Sequence, residues 1–441
     1  MSSYSTIIRD SFAEAKQPSR SSLLSECAEK GSVGSTTSHV ISGSASSSSL
    51  TSSCGPTCEL TVPEGATLTM DADLNVASLQ VDGSLLWTDG TQAGQVQKLC
   101  AGYVAGTGRI EVDVEEKEAF IYVKNNGLSH PILGTRSLGA YQADAGAERA
   151  VFDVRGKVMP RTWSLLAAPA KAGDAVLTLM HDAGAMGWKA GDRVLVAPTQ
   201  RSGSQGDGEA SVLVGVDGNV VTLDKQTGQD FQAAFEVQNG LVATMSAEVI
   251  NLSRNLVITG DEFENVPCDD SLSDDFGEGI SGQGCLCTSE RTQCTVGLHT
   301  VGWRNSVFKL QGARVERCGQ RGIAGKYCAH MHLLGSSPES IIRGNAFEHS
   351  MQRGVVIHGT HRSTVDHNVF SDVRGAALYI EDGNELLNNL EYNVGICPWR
   401  LGDPEKWGCT IPGTSNGEAD TSLNQAGVWA LSPSNSMLGN R

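Results

Sequence analysis

Aromatic side chains are scarce, at 5% of 441 residues, while glycine numbers 51. That balance argues against a helical bundle and for many short strands joined by tight corners. No apolar run approaches the roughly 18 residues a membrane helix needs, and the N-terminus lacks the apolar centre of a secretory signal. A membrane would be reached only through segments absent from this chain. Positive charge is also short, with 33 Lys and Arg against 50 Asp and Glu for a net charge of -17. Such a balance weighs against nucleic acid and against a broad basic surface for a polyanion. Paired C-x-x-C clusters of a zinc module are missing, as is the D-x-D-x-D-G spacing of a calcium loop.

What is present is a repeat. In SIIRGNAFEHSMQRGVVIHG and STVDHNVFSDVRGAALYIEDG, Ile342, Asn345 and Phe347 recur 23 positions later as Val365, Asn368 and Phe370, and Leu390 and Asn393 begin a third copy. A period of this length, with β-branched runs and Gly or Asn at the corners, marks a solenoid, here a right-handed parallel β-helix. Steps of 26 and then 23 carry Ala329 to Val355 and Leu378, and Met331 to Ile357 and Ile380, so one strand face is apolar in every coil. The opposite face then holds His330, Val356 and Tyr379 in one column and His332, His358 and Glu381 in the next, with coils about 4.8 Å apart. One coil further, Val428 and Ala430 continue the apolar face and Trp429 joins the column of Tyr379.

The first 53 residues are Ser-rich without alternation and read as a disordered leader. Residues 54–200 read as a β-sandwich or β-roll, and 201–441 as the β-helix, interrupted by an acidic, cysteine-bearing insertion at 261–295. Within it, Asp261 to Glu290 holds nine acidic residues and no Lys or Arg; a solvated, disulfide-tied loop is the plainer reading and a calcium site the sharper one. The closing AGVWALSPSNSMLGNR reads as a coil cut off at Asn440, with capping coils to follow. Twelve cysteines, an even number, favour an oxidising compartment and disulfides of undetermined pairing. Asn251-Leu-Ser is a lone glycosylation sequon.

VPEGATLTMDADLNVASLQVDGSLLW and RTWSLLAAPAKAGDAVLTLMHDAGAMGWKAGDRVLVAPT resemble the eight-glycine domain of cell-surface hyaluronidases and fibrocystin-L. The likeness continues through GKYCAHMHLLG, VVIHG and ALYIEDGNELLNNLEYNV. It implies an eight-glycine β-domain followed by a β-helix, an extracellular or cell-surface location, and either hyaluronan degradation or a non-catalytic receptor-like role. The fold class is thus all-β by two routes.

Stacked imidazoles suppress each other's charge, so His332 and His358 beside Glu381 and Asp382 invite a functional reading, whereas Asn345, Asn368 and Asn393 read as a structural ladder. Glu381 would serve as general acid or base with His332 or His358 as partner. A zinc-like ion held by the same groups is the rival use. Asp382 should face away from this column unless the Gly383 turn has begun there. Tyr379 and Trp429 offer rings on which a sugar stacks, with His330 and Arg353 beside them; a loop at 397–422 folded over Trp429 is the alternative. From Trp303 to Arg374, ten Lys or Arg stand against five Asp or Glu. An acidic polysaccharide would dock there, or the arginines merely occupy turns. Two functions remain open: hydrolysis of a hyaluronan-like glycan, and non-catalytic glycan binding at a surface or matrix.

Overall fold

The computed structural model describes residues 24–28, 33–90, 95–144, 146–199, 210–233, 235–238, 241–243, 245–267, 293–321, 323, 325–396 and 426–441. Three long parallel sheets wind round one core. The first has ten strands, including Thr37–Val40, Ser137–Tyr141, His299–Trp303, Ala329–Ser336, Val355–His361, Leu378–Ile380 and Val428–Ala430 in spatial order. The second also has ten, from Ser44–Ser46 to Ser436–Leu438, and the third has eight, from Leu74–Asn75 to Val394–Ile396. Every pairing in these three sheets is parallel.

The register is the one the repeat implies. Met331 pairs with Ile357 and Ile357 with Ile380, all sealed from solvent, while His332 pairs with His358 on the outward face. Tyr379 pairs with Trp429. Inside, Phe347 and Phe370 stack at 5.0 Å between ring centres. At the corner below, Asn345, Asn368, Asn393 and Asn440 form a continuous ladder. Asn368 Nδ2 donates to the Ile342 carbonyl and to Asn393 Oδ1, and its own Oδ1 accepts from the Asn345 backbone and side chain. Each corner thereby satisfies backbone groups that burial would otherwise leave unpaired. Gly106 shows why these coils need glycine, since a Cβ there would lie 1.8 Å from the Val81 carbonyl oxygen.

The solenoid starts far earlier than the repeat suggests. Strands from Cys58–Val62 to Val151–Arg155 are coils of the same helix, and Thr37–Val40 with Ser44–Ser46 begin the first of them, inside the stretch read as a disordered leader. These early coils lack the Asn ladder, so their periodicity is hidden in plain alternation. The sandwich-like unit lies later. A six-stranded antiparallel sheet built from Trp163–Leu165 through Glu248–Asn251 is inserted between the second-sheet strand Val151–Arg155 and the third-sheet strand Leu256–Gly260. Its own core holds Leu166, Leu179, Trp188, Leu213 and Val249, and its Trp163, Leu165 and Ile250 pack on Ala346, Val369 and Val394 of the solenoid.

Three disulfides join described cysteines: Cys27–Cys100, Cys54–Cys58 and Cys318–Cys328. Cys268, Cys285, Cys287, Cys397 and Cys409 lie outside the described residues, as does most of the acidic insertion with its calcium reading; its base is closed by the antiparallel pair Glu264–Pro267 and Gln293–Val296. The Asn251 sequon is fully buried, its Nδ2 donating to Asp192 at 2.8 Å, so it is closed to glycosylation in the folded chain.

Candidate functional site

On the outward face of the first sheet, strands Ala329–Ser336 and Val355–His361 bring three imidazoles together. His332 Nδ1 is 3.3 Å from His330 Nε2 and 2.9 Å from His358 Nδ1. His330 is buried, and burial together with the two neighbouring imidazoles pushes its pKa well below the usual value. His332 is pushed down to about 3, by burial first and then by His358, Arg304 and Lys326. The outer nitrogens have fixed partners. His330 Nδ1 lies 3.0 Å from the Gly325 carbonyl, and His358 Nε2 lies 2.8 Å from Asp382 Oδ2.

The strand Leu378–Ile380 ends just before the two acids, although the Glu381 amide still donates to the Ile357 carbonyl. Glu381 therefore keeps its place in the His column, and the turn that follows swings Asp382 onto the same side, against the alternation of a continued strand. Both carboxylates then flank His358, with Glu381 Oε2 at 3.8 Å from its Nδ1. Glu381 Oε1 accepts from Arg353 at 3.2 Å and from Tyr327 at 3.3 Å, while Oε2 is buried with no hydrogen-bond partner among the described residues. The turn itself is held by Glu385, fully buried, whose Oε1 accepts from the Asp382 and Gly359 amides.

The four residues read as reacting groups are thus adjacent, but the proposed sugar platform differs from its expectation. Tyr379 and His330 are buried, and Arg353 lies flat on Tyr379 with its guanidinium carbon 3.7 Å from the ring centre. Tyr327 completes that cover, at 5.1 Å from the same guanidinium. Arg353 is itself only 2% exposed, so it positions Glu381 rather than meeting ligand directly. Trp429 is half-buried, its ring 6.3 Å from Tyr379 and nearly parallel to it. The loop at 397–422 lies outside the described residues.

The local surplus of positive charge is dispersed as well. Arg314 binds Glu316 and Glu348, Arg343 binds Asp366, Arg374 binds Asp372, Arg317 binds Glu262 and Lys309 binds Asp153. Half of the ten cations therefore pair elsewhere on the solenoid. Arg304, stacked 4.6 Å above Trp303, is the cation that the strand register places beside His332.

Sequence reasoning missed Tyr327, Glu385 and Lys326. Lys326 is completely buried, donates to the Leu133 carbonyl, and has its pKa pushed down to about 7 by burial. His299 shares that carbonyl at 3.0 Å. Gly134, at φ 80°, leaves the space, since a Cβ there would lie 2.6 Å from the Lys326 nitrogen. The signal was available in part: Lys326 and Tyr327 open the same KYCAHMH run as the histidines.

Residues 295–441 match the family model described as CEMIP beta-helix. Fibrocystin-L of Homo sapiens is 32% identical over 284 residues, covering 60% of this chain and 6% of that protein. A G8 domain-containing protein of Dictyostelium discoideum is 26% identical over 309 residues, 67% of this chain and 23% of its own length. The chain spans a small part of these relatives. Among solved structures, a Pseudomonas phage tailspike is similar at 11% identity and a TM-score of 0.19, over 69% of this chain and 44% of that one, an overlap too loose to bear on function. The chain is thus similar to fibrocystin-L and to a G8 domain-containing protein, and its residues 295–441 to the CEMIP beta-helix.

Proposed function

We propose that this chain is an extracellular or cell-surface glycan-acting protein that hydrolyses an acidic, hyaluronan-like polysaccharide on the face bearing His332, His358, Glu381 and Asp382. The observation that carries this reading is the buried Oε2 of Glu381, without a hydrogen-bond partner among the described residues, beside an imidazole that Asp382 grips from its other nitrogen. An unpaired carboxylate oxygen costs about 1–3 kcal/mol or more, and a site that keeps one has a use for it. Arg353 at 3.2 Å holds one oxygen of Glu381 and leaves the other free to act as a base on water. Asp382, exposed, is then the acid that meets the leaving oxygen, and the two histidines hold the pair in place. Glycoside hydrolysis generally uses two carboxyl groups, and Glu381 and Asp382 both stand beside His358. Arg304 beside His332 supplies the cation for a uronate, and Trp429 a ring for the neighbouring sugar.

Turnover of a panel of acidic glycans by the secreted protein tests the reading, with Glu381→Gln, Asp382→Asn and Trp429→Ala as variants. New reducing ends, lost by at least about 100-fold in Glu381→Gln while binding persists, support hydrolysis. Unsaturated uronate products would replace hydrolysis by elimination. Binding without turnover, lost in Trp429→Ala, would make the face a non-catalytic glycan module.

A further inference from the structure

The geometry points to a metal centre at the three histidines, holding one divalent first-row transition ion, zinc by preference, through His330 Nε2, His332 Nδ1 and His358 Nδ1. One potential ligand atom from each of the three residues lies within 4.8 Å of the others. The two closest separations are 2.9 and 3.3 Å. Two nitrogens on a tetrahedral zinc with bonds of about 2.0–2.1 Å stand roughly 3.3 Å apart, a spacing that the two His332 separations already approach.

The protons decide between an ion and a mere hydrogen-bond cluster. His330 is set to donate from Nδ1 to the Gly325 carbonyl and His358 from Nε2 to Asp382, which turns the lone pairs of His330 Nε2 and His358 Nδ1 inward. Between these two sits a single further nitrogen, His332 Nδ1. If it carries a proton, that one proton has two acceptors to serve; if it does not, three lone pairs face one another. A cation satisfies all three together. Carbonyl and carboxylate partners behind the outer nitrogens are also what ligating histidines use to fix tautomer and ring orientation.

The second observation is independent of the imidazoles. Glu381 Oε2, buried and without a hydrogen-bond partner among the described residues, stands 3.8 Å from His358 Nδ1. It is the oxygen available for the remaining position, as fourth ligand or as the acceptor for a bound water. Three nitrogens with one carboxylate suit zinc, cobalt or a similar borderline ion better than calcium, which takes six or more oxygens. The inference concerns the ion alone and stands whether or not the face meets a glycan.

The test is metal uptake by the whole purified chain. Chelator-stripped protein is dialysed against Zn2+ or Co2+, bound metal is counted, and the visible spectrum of the cobalt form is recorded. The expected result is one ion per chain with a tetrahedral cobalt band. His332→Ala and the half-exposed His358→Gln should each abolish both, and Asp382→Asn should weaken binding by about 10–100-fold through the outer hydrogen bond. Circular dichroism of the chelated variants, matching that of the chelated parent, shows that the coils persist. No uptake by the parent, or uptake unchanged in both histidine variants, overturns the assignment.

Discussion

Two ladders run along the same solenoid and use their polar groups in opposite ways. In the asparagine ladder every donor finds an acceptor one coil away, so Asn345, Asn368 and Asn393 are fully buried and fully paired. In the histidine column three imidazoles crowd together, Glu381 keeps an oxygen with no hydrogen-bond partner among the described residues, and Arg353 is pinned between that carboxylate and an aromatic ring. Stacking alone therefore does not distinguish structure from function. The difference lies in whether the valences close within the chain.

Four experiments break or sharpen that contrast. The largest effect is expected for Asn368→Ala, which orphans the Ile342 carbonyl and the Asn345 amide and should cost about 3 kcal/mol in denaturant unfolding. A cost under about 1 kcal/mol would mean that the ladder is dispensable. Next comes acid. His130, buried and lowered to about 4 chiefly by desolvation, binds fewer protons folded than unfolded, so its contribution is complete above about pH 6.5 and lost as pH falls towards 4. His349 runs the other way. Its pKa is raised, first by its hydrogen bond with Asp372, so its contribution is present below about 6.5 and lost as pH rises through the raised value. Unfolding free energy measured from pH 4 to 7 should rise by about 2 kcal/mol less in His130→Gln than in the parent. An identical slope would remove His130 as a cause.

Glu381→Gln should cost about 1–2 kcal/mol, because the nearly buried Arg353 loses its countercharge while Tyr327 and Tyr379 still surround it. The smallest change is expected in the metal-free protein carrying His332→Ala, less than about 1 kcal/mol, since that side chain closes no ladder of its own. A loss as large as that of Asn368→Ala would erase the distinction between the two columns.

Much of this contrast was legible in the residues. Steps of 26 and 23 place Met331, Ile357 and Ile380 correctly, because a one-residue slip would have turned every side chain to the wrong face. The Asn corners and the nearness of His332, His358 and Glu381 follow from the same register. The burial of Tyr379 does not. It depends on Arg353 and Tyr327, which sit just before their strands and fold over the column, a tertiary packing event with no period to announce it. For Asp382 the turn before Gly383 was the open alternative, and it is the one realised, because Glu385 captures the Asp382 amide and starts the turn one residue after Ile380. The early coils escaped notice for a different reason, as they carry leucine and valine alternation with aspartates such as Asp73, Asp82 and Asp89 at their corners in place of a recurring Asn.

The inserted antiparallel unit has a consequence for how the chain reaches its fold. It leaves the solenoid after Arg155 and returns at Leu256, and its two ends meet, with the Asn251 amide donating to the Thr162 carbonyl at 2.9 Å and Trp163 pairing with Ile250. Coils can add one after another along either flank, but this one coil closes only after a hundred intervening residues have brought their ends together. Loop closure of that length slows the step more than it weakens the product, because each doubling of a loop costs only about 0.6 kcal/mol. The touching ends give the unit a seam at which nature or an engineer can exchange it for a short turn, leaving a solenoid that should assemble faster than the parent.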